Sequence, residues 1–315
     1  MDSSELQQLA MRTRSKREAG VALIAATGLL ALFLFVPLSS KNVPPQVAAV
    51  AAAPAPDAFA HISIEANAAI VYDLVTGETL YAKNADAQLP LASLTKLLTV
   101  YAALSELAPS TSITIPTDAL GQDGPHAFNA GQVFALNDLA RLTLTASLND
   151  GASAIAEAVA ARQSRTQSDV LARAAASLGL VQTYAVNGSG LDVTTSVSGG
   201  YGSARDLAIL AGALVERAPD IAAATTRSSA QAVSEGGTAF NVMNTDPMVG
   251  TISHLLLSKT GFTDLAGGNL ALVFDAGINH PVAVVVLGSS QKARFTDGTA
   301  LVAAAIAHFA GVASL

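Results

Sequence analysis

The clearest hydrophobic pattern in the chain covers residues 97–107, where nearly every position is apolar. A helix that is apolar all round is buried on every side rather than along one face. Ser93 and Lys96 lie three residues apart, immediately before this run. A helix therefore places them on one face, one turn apart. The pattern predicts a core helix with a serine near its start and a lysine whose burial disfavours its charged form.

The other patterns predict a β-hairpin, then a block of helices, then more strands and a last helix. The strands are predicted at residues 68–72, 78–82, 255–258, 268–275 and 282–287. Helices are predicted at residues 137–145, 151–161, 167–179, from Ser203 onward, and 296–310. This order favours an α+β fold, in which one antiparallel sheet is flanked by helices and carries an inserted all-helical lobe. A functional site is expected in the cleft between sheet and lobe.

The N-terminal region has the pattern of a membrane anchor. Residues 19–36 are uncharged and apolar, and a helix of that length spans roughly 27 Å, close to the hydrocarbon thickness of a bilayer. Four basic residues precede the run, which places the N-terminus in the cytoplasm. We therefore expect a cytoplasmic tail (1–18), a single transmembrane signal-anchor (19–36), an Ala/Pro-rich linker (37–60) and an extracytoplasmic domain (61–315). A cleaved signal peptide is the alternative, and the residues after the apolar run match a cleavage site poorly.

Composition excludes several classes of protein. The chain is 51% apolar and 13% charged, which is typical of a folded protein. It contains no cysteine, which excludes a disulfide framework, a thiolate nucleophile and a zinc–cysteine site. The net charge of −7, with no basic face and few aromatic residues, argues against a nucleic-acid partner.

Three short motifs stand in three different predicted elements. They are the Ser93 and Lys96 pair, Ser147-Leu-Asn149 between two helices, and Lys259-Thr-Gly261 at the end of a strand. Each alone has an ordinary interpretation, as a helix cap, a helix end or a turn. In this order they match the three-part pattern of the penicillin-recognising serine enzymes.

With these motifs the chain resembles the D-alanyl-D-alanine carboxypeptidases, the low-molecular-weight penicillin-binding proteins of β-lactamase-like fold. The resemblance covers roughly residues 61–309. One difference is Leu148, where the family usually has glycine, and a larger side chain there is expected to narrow the site. Many members also carry a second, β-rich domain and a C-terminal amphipathic anchor; neither is expected here, and the N-terminal helix is expected to anchor the chain instead. Class A β-lactamases are disfavoured because no Glu-x-x-Leu-Asn occurs.

The resemblance implies a role for each catalytic residue. Ser93 is the nucleophile that becomes acylated, and Lys96, neutral because it is buried near a second cation such as Lys259, takes its proton. Ser147 relays a proton to the leaving D-alanine. Asn149 holds the substrate amide and orients Lys96.

The third motif is expected to bind substrate. Lys259 and Thr260 hold the terminal carboxylate by charge-assisted hydrogen bonds, and Gly261 lets the strand approach the ligand without a Cβ in the way. The backbone N–H groups of Ser93 and Phe262 face the developing oxyanion. The resemblance implies no metal and no cofactor.

The expected function is therefore that of a serine-type D-Ala-D-Ala carboxypeptidase at the bacterial cell membrane. It would trim peptidoglycan stem peptides through an acyl-enzyme on Ser93 and be inhibited by β-lactam antibiotics. Two alternatives remain at this point. A DD-endopeptidase that cuts peptide cross-links would carry the same motifs, and a wall-binding pseudoenzyme is favoured only by Leu148.

Overall fold

The computed structural model describes Met11, Arg14 and residues 57–311. The predicted cytoplasmic tail, the predicted membrane segment and most of the predicted linker lie outside that part of the chain, apart from the two isolated residues. Among the residues described, no helix is long and apolar enough to cross a bilayer. Ala58 and Phe59, which the sequence pattern assigned to the linker, are buried, so the folded domain begins slightly earlier than predicted.

The elements follow the predicted order of hairpin, helices, strands and helix. The strands are β1 (Ala68–Asp73), β2 (Thr79–Lys83), β3 (Leu89–Pro90), β4 (Ser112–Thr114), β5 (Val133–Ala135), β6 (Tyr184–Ala185), β7 (Gly200–Gly202), β8 (Ser229–Val233), β9 (Ala239–Met243), β10 (Leu255–Thr263), β11 (Gly267–Asp275) and β12 (Pro281–Ser289). The α-helices are α1 (Thr95–Glu106), α2 (Leu136–Ala146), α3 (Asn149–Gln163), α4 (Gln167–Ser177), α5 (Ala204–Arg217), α6 (Pro219–Ala224) and α7 (Ala293–Phe309). Short 3-10 helices lie at Ala92–Leu94 and Thr117–Gly121.

One antiparallel sheet joins the two ends of the described domain, in the order β10-β11-β12-β1-β2. Strand β1 lies between its hairpin partner β2 and the late strand β12, with Ala69 opposite Val286. The α+β fold with a sheet and an inserted lobe is thereby confirmed. Strand β10 is an edge of this sheet, and the lobe inserted between β2 and β10 lies against it.

The sheet separates two hydrophobic cores, because side chains alternate between its faces. Along β12, Ala283 and Val285 point into the larger core, which also contains the apolar face of α1. Val284 and Val286 point into the smaller core beneath α7. Helix α1 is buried from Thr95 to Ala103, as its apolar pattern predicted.

The structure differs from the sequence prediction in two places near the site. The lobe is mainly helical but also contains the β8–β9 hairpin and several very short strands. Strand β10 continues to Thr263 rather than ending at Ser258, so the Lys259-Thr-Gly261 motif lies inside a strand. The polar Lys259 and Thr260 do not suggest a strand interior from the sequence, but in the structure they pair with Ala271 and Leu270 of β11 and are buried.

Candidate active site

The nucleophile segment is a tight turn that leads into α1. Ser93 lies in the 3-10 helix at Ala92–Leu94, and the α-helix itself starts at Thr95. Ala92 has a φ of 47°, in the left-handed region that residues with a side chain rarely adopt. Such a conformation costs on the order of 1–3 kcal/mol and persists only where the surroundings impose it. The packing around Ala92 therefore fixes the direction in which the next residue, Ser93, points.

Lys96 is completely buried and its amine contacts three oxygen atoms. Lys96 Nζ lies 2.7 Å from Ser93 Oγ, 2.8 Å from Asn149 Oδ1 and 2.9 Å from the carbonyl oxygen of Ser189. Burial lowers the pKa of Lys96 to about 7, and the nearby carboxylate of Asp150 acts in the opposite direction. The neutral amine is therefore well populated at neutral pH.

The three partners of Lys96 suit a neutral amine. A neutral amine has two N–H donors and one lone pair. The oxygens of Asn149 and Ser189 accept hydrogen bonds, whereas the Ser93 hydroxyl can donate one. The two acceptors take the two N–H groups of Lys96, and the lone pair then points at the Ser93 hydroxyl. This is the arrangement of an activated nucleophile beside its base.

Lys259 and Ser147 form a second lysine–hydroxyl pair, in addition to that of Lys96 and Ser93. Ser147 ends α2 in a left-handed conformation, with φ 58°, and Lys259 Nζ donates to Ser147 Oγ at 2.9 Å and to the carbonyl oxygen of Thr260 at 2.7 Å. The pKa of Lys259 is lowered by burial first, and then by repulsion from Lys96 and Arg294. Because the two lysines repel one another, a neutral Lys96 lets Lys259 keep its charge more easily.

Asn149 connects the lysine to a loop of the lobe. Its amide nitrogen Nδ2 donates to the carbonyl oxygen of Asp123 at 2.6 Å, while Oδ1 accepts from Lys96. The backbone N–H of Asn149 donates to the carbonyl oxygen of Pro125 at 2.7 Å. The side chain is thus held at both ends, with its oxygen aimed at the catalytic lysine.

Asp150, the next residue, anchors the same loop. Its buried carboxylate accepts the backbone N–H groups of Ala127 at 2.8 Å and Phe128 at 2.9 Å, and also that of Gly151 at 2.8 Å. It supplies the negative charge that opposes the fall in the pKa of Lys96. One carboxylate therefore both holds the loop and tunes the base.

Leu148 does not narrow the site, contrary to the expectation from the sequence. Its side chain is buried in the larger hydrophobic core, with 3% of its surface exposed. The backbone turns between Ser147, at the end of α2, and Asn149, at the start of α3, so that the residue between them points inward. The core accommodates a leucine at this position.

Strand β10 brings the third motif to the nucleophile. A Cβ added to Gly261 would lie 2.9 Å from the carbonyl oxygen of Leu91 and 3.2 Å from the nitrogen of Ser93. The glycine therefore allows the strand to approach the nucleophile segment, whereas the sequence argument assigned its missing side chain to ligand access. Thr260 is buried, and the side chain of Phe262 is 43% exposed at the strand edge.

Several groups at the site escaped the sequence analysis. Arg294, buried near the start of α7, donates through Nη1 to the carbonyl oxygen of Gly261 at 2.6 Å. Thr245 contacts Thr260, with 2.6 Å between their hydroxyl oxygens. The carbonyl groups of Ser189 and Asp123 complete the surroundings of Lys96 and Asn149. Backbone carbonyl groups cannot be predicted from residue type, because every residue has one. A single arginine in an apolar helix does not indicate which distant residue it contacts.

The fold and this cluster of hydroxyl groups and lysines define a serine-type peptidase of the transpeptidase fold. The sequence profile of the D-alanyl-D-alanine carboxypeptidases matches residues 50–291, and the chain belongs to that family. The resemblance inferred from the three motifs is thereby confirmed.

Known relatives and solved structures agree with this assignment. The chain is 29% identical to the D-alanyl-D-alanine carboxypeptidase DacD of Salmonella typhimurium, over 84% of this chain and 67% of that protein. It is also 29% identical to the D-alanyl-D-alanine endopeptidase of Pseudomonas aeruginosa, over 80% of this chain and 82% of that protein. The structure is similar to penicillin-binding protein D2 from Listeria monocytogenes in its cefotaxime-bound form. The TM-score is 0.66 at 26% identity, covering 78% of this chain and 98% of that chain.

Proposed function

We propose that the protein is a serine-type D-Ala-D-Ala carboxypeptidase that trims peptidoglycan stem peptides through an acyl-enzyme on Ser93. The observation that carries this proposal is the buried amine of Lys96, 2.7 Å from Ser93 Oγ, with a pKa lowered to about 7. A lysine in that state can remove the proton from a serine hydroxyl at neutral pH. Both lysine–hydroxyl pairs are formed and Leu148 lies in the core, which favours an enzyme over a pseudoenzyme.

The acylation step follows from these contacts. Ser93 Oγ attacks the carbonyl carbon of the penultimate D-alanine while its proton passes to Lys96 Nζ. The carbonyl oxygen becomes an oxyanion, and the backbone N–H groups of Ser93 and Phe262 donate to it. Ser147 passes a proton to the leaving amine as the C–N bond breaks, and D-alanine departs. Lys96 returns to Ser147 the proton it took from Ser93, so Lys96 is neutral again before deacylation, while Lys259, which donates to Ser147 Oγ, keeps its own proton and charge.

Deacylation repeats the chemistry with water. Lys96 takes a proton from a water molecule, which attacks the ester carbonyl, and the C–O bond to Ser93 then breaks. The serine oxygen recovers a proton from Lys96. β-Lactams enter the same first step, and their amide bond opens without releasing a leaving group, so we propose that they acylate Ser93 and inhibit the enzyme.

Substrate selection depends on the terminal carboxylate. Lys259 supplies a positive charge, Thr260 supplies a hydroxyl donor, and the buried guanidinium of Arg294 adds positive charge behind the strand. Charge-assisted hydrogen bonds to a carboxylate are stronger than neutral ones. This arrangement favours a peptide that ends in a free carboxylate.

Replacing Thr260 with valine tests the carboxypeptidase assignment. Loss of a hydrogen bond to a charged group costs about 1.5–3 kcal/mol, so kcat/KM for a peptide ending in D-Ala-D-Ala should fall roughly 10- to 150-fold. The same peptide with an amidated C-terminus should lose much less, because its carboxylate charge is already absent. Release of D-alanine, or of D-alaninamide, measures both reactions. Equal losses on the two substrates would contradict the assigned role of Thr260.

A DD-endopeptidase is the second candidate function. It is favoured by the match to the Pseudomonas aeruginosa endopeptidase, of which this chain covers 82%, a larger share than the 67% of DacD. An endopeptidase cuts a D-alanyl bond whose amine belongs to another stem peptide. Wild-type enzyme that cleaves a cross-linked dimer faster than a D-Ala-D-Ala pentapeptide would favour this function over the first.

We also propose that residues 19–36 anchor the enzyme in the bacterial cell membrane as a single span, with the catalytic domain outside the cytoplasm. The support is the uncharged run of 18 residues preceded by four basic ones. N-terminal sequencing of the protein from the membrane fraction should read the native N-terminus. A mature protein that starts between Ser40 and Ala53 would instead show that the segment is a cleaved signal peptide.

A further inference from the structure

We infer that Thr245 is a positioning residue that orients the Thr260 hydroxyl toward the substrate carboxylate. This inference rests on the proposed function, in which Thr260 donates to that carboxylate. The two side-chain oxygens, Thr245 Oγ1 and Thr260 Oγ1, lie 2.6 Å apart, a short hydrogen bond between hydroxyl groups. Thr260 is buried and Thr245 is half-buried, so solvent competes little for this contact.

The direction of this hydrogen bond decides what Thr260 can do. A hydroxyl group has one hydrogen to donate and can accept through its lone pairs. An ionised carboxylate only accepts, so a threonine that binds it must donate to it. If Thr260 donated to Thr245, no hydrogen would remain for the ligand. Donation from Thr245 to Thr260 leaves the Thr260 hydrogen free and also polarises it, because linked hydrogen bonds strengthen one another.

Hydrogen bonds of Thr245 and its neighbour Asn244 attach this segment to the lobe. Its backbone N–H donates to the carbonyl oxygen of Thr145, in the last turn of α2, two residues before Ser147. Its neighbour Asn244 donates through Nδ2 to the carbonyl oxygens of Thr225 and Arg227. These contacts attach the Thr245 backbone to the lobe that carries Ser147.

The other neighbour attaches the segment to the sheet. The buried carboxylate of Asp246 accepts the hydroxyl hydrogen of Ser258 on β10 and the backbone N–H of Met248. Ser258 directly precedes the Lys259 motif. Burial lowers the pKa of both Lys259 and Arg294, the two cations near the proposed carboxylate position, and the negative charge of Asp246 opposes that shift. The segment Asn244, Thr245 and Asp246 therefore spans from the lobe to β10, with the Thr245 hydroxyl aimed at Thr260.

Acylation by benzylpenicillin tests this role without depending on peptide cleavage. Benzylpenicillin carries a carboxylate, and its methyl ester does not. The rate of acyl-enzyme formation is followed by intact-mass spectrometry on the full chain, for Thr245→Val, Thr245→Ser, Thr260→Val and the Thr245→Val/Thr260→Val double variant. Thr299→Val is the matched control, because its hydroxyl donates to the Phe295 carbonyl within α7, away from the cleft.

The expected result is a loss confined to the free carboxylate. Thr245→Val should lower the second-order acylation rate by benzylpenicillin about 2- to 13-fold, the range of one neutral hydrogen bond, and change the methyl-ester rate less than about twofold. The loss should appear in the apparent binding constant rather than in the maximal rate, since the carboxylate is bound before and during the reaction. Thr245→Ser, which keeps the hydroxyl, should recover most of the rate. In the Thr260→Val background, Thr245→Val should add less than about twofold.

Two results would overturn the inference. Equal losses with both compounds would mean that Thr245 acts only on structure. An undiminished effect of Thr245→Val in the Thr260→Val background would mean that it does not act through Thr260. A protein that is acylated with this pattern but releases no D-alanine from peptides would contradict the proposed function and still support the positioning role.

Discussion

At the scale of single residues, the chemistry depends on where Lys96 stands. An exposed lysine is almost fully protonated at neutral pH and cannot act as a base. Complete burial among the oxygens of Ser93, Asn149 and Ser189 removes water from the amine and brings its pKa to about 7. The carboxylate of Asp150 limits the shift, so the amine changes charge near neutral pH.

The acylation rate should follow the charge of Lys96. Only the neutral amine accepts the Ser93 proton, so the rate constant for acylation by penicillin should rise about tenfold per pH unit up to about pH 7 and level off above it. A stopped-flow or mass-spectrometric rate profile measures this. Lys96→Arg, which stays charged, should slow acylation at least about 100-fold at every pH. A rate that falls as the pH rises through 7 would contradict Lys96 as the base.

The sequence identified the reacting side chains but not the groups that hold them. Ser93, Lys96, Ser147, Asn149, Lys259 and Thr260 were predicted because their residue types and spacing carry the chemistry, and the structure brings them together. Arg294 was missed because its contact with Gly261 on β10 joins residues far apart in the chain. Thr245 was missed because it lies in a segment with no hydrophobic or motif pattern of its own. The inward direction of Leu148 depends on the turn between α2 and α3, which composition does not reveal.

At the scale of elements, the loop around residues 123–128 is held by two consecutive residues at the start of α3. Asn149 accepts from Lys96 and donates to the loop through Nδ2, and Asp150 accepts the N–H groups of Ala127 and Phe128. A buried carboxylate with several N–H partners is stable in place, and its loss leaves those donors unpaired. Loop position and catalytic geometry are therefore coupled through the start of one helix.

Replacing Asp150 with asparagine tests this coupling. The amide keeps one acceptor oxygen and places an NH2 donor where an acceptor stood, so the free energy of unfolding should fall by about 2–4 kcal/mol in a urea titration. Loss of the negative charge should also move the midpoint of the acylation pH profile to lower pH, because Asp150 raises the pKa of Lys96.

Asp138→Asn is the matched control for this change. Asp138 pairs at 3.2 Å with Arg141 on the partly exposed face of α2, and such surface pairs contribute about 0–1 kcal/mol. Its pH profile should match that of the wild type. If Asp150→Asn costs no more stability than Asp138→Asn and leaves the pH midpoint in place, Asp150 has neither of the proposed effects.

The order of elements was predictable because each long helix or strand has a recognisable pattern of apolar residues. The apolar run gave α1, and the strands β11 and β12 are continuous apolar segments. The β8–β9 hairpin was missed because each strand has only five residues, and β8, in which alanine alternates with polar residues, differs little from a loop. Strand β10 was predicted too short because Lys259 and Thr260 are polar, although both are buried in the structure.

At the scale of the whole domain, the sheet and the lobe each bring part of the site. Strand β10 carries Lys259 and Thr260, Ser147 directly follows α2, α3 begins at Asn149, and the turn before α1 carries Ser93. The Lys259–Ser147 contact joins the sheet to the lobe directly. Both lysine–hydroxyl pairs therefore lie where the sheet meets the lobe, and catalysis depends on the two parts keeping their relative position.

Intact-mass spectrometry after treatment with benzylpenicillin tests most directly whether Ser93 is the nucleophile that forms the acyl-enzyme. The wild-type protein should gain the mass of one penicillin molecule, and peptide mapping should place it on Ser93. Ser93→Ala should gain none while keeping the wild-type unfolding transition, since the hydroxyl contributes a single hydrogen bond to Lys96. A single adduct that persists in Ser93→Ala would contradict the assignment of the nucleophile.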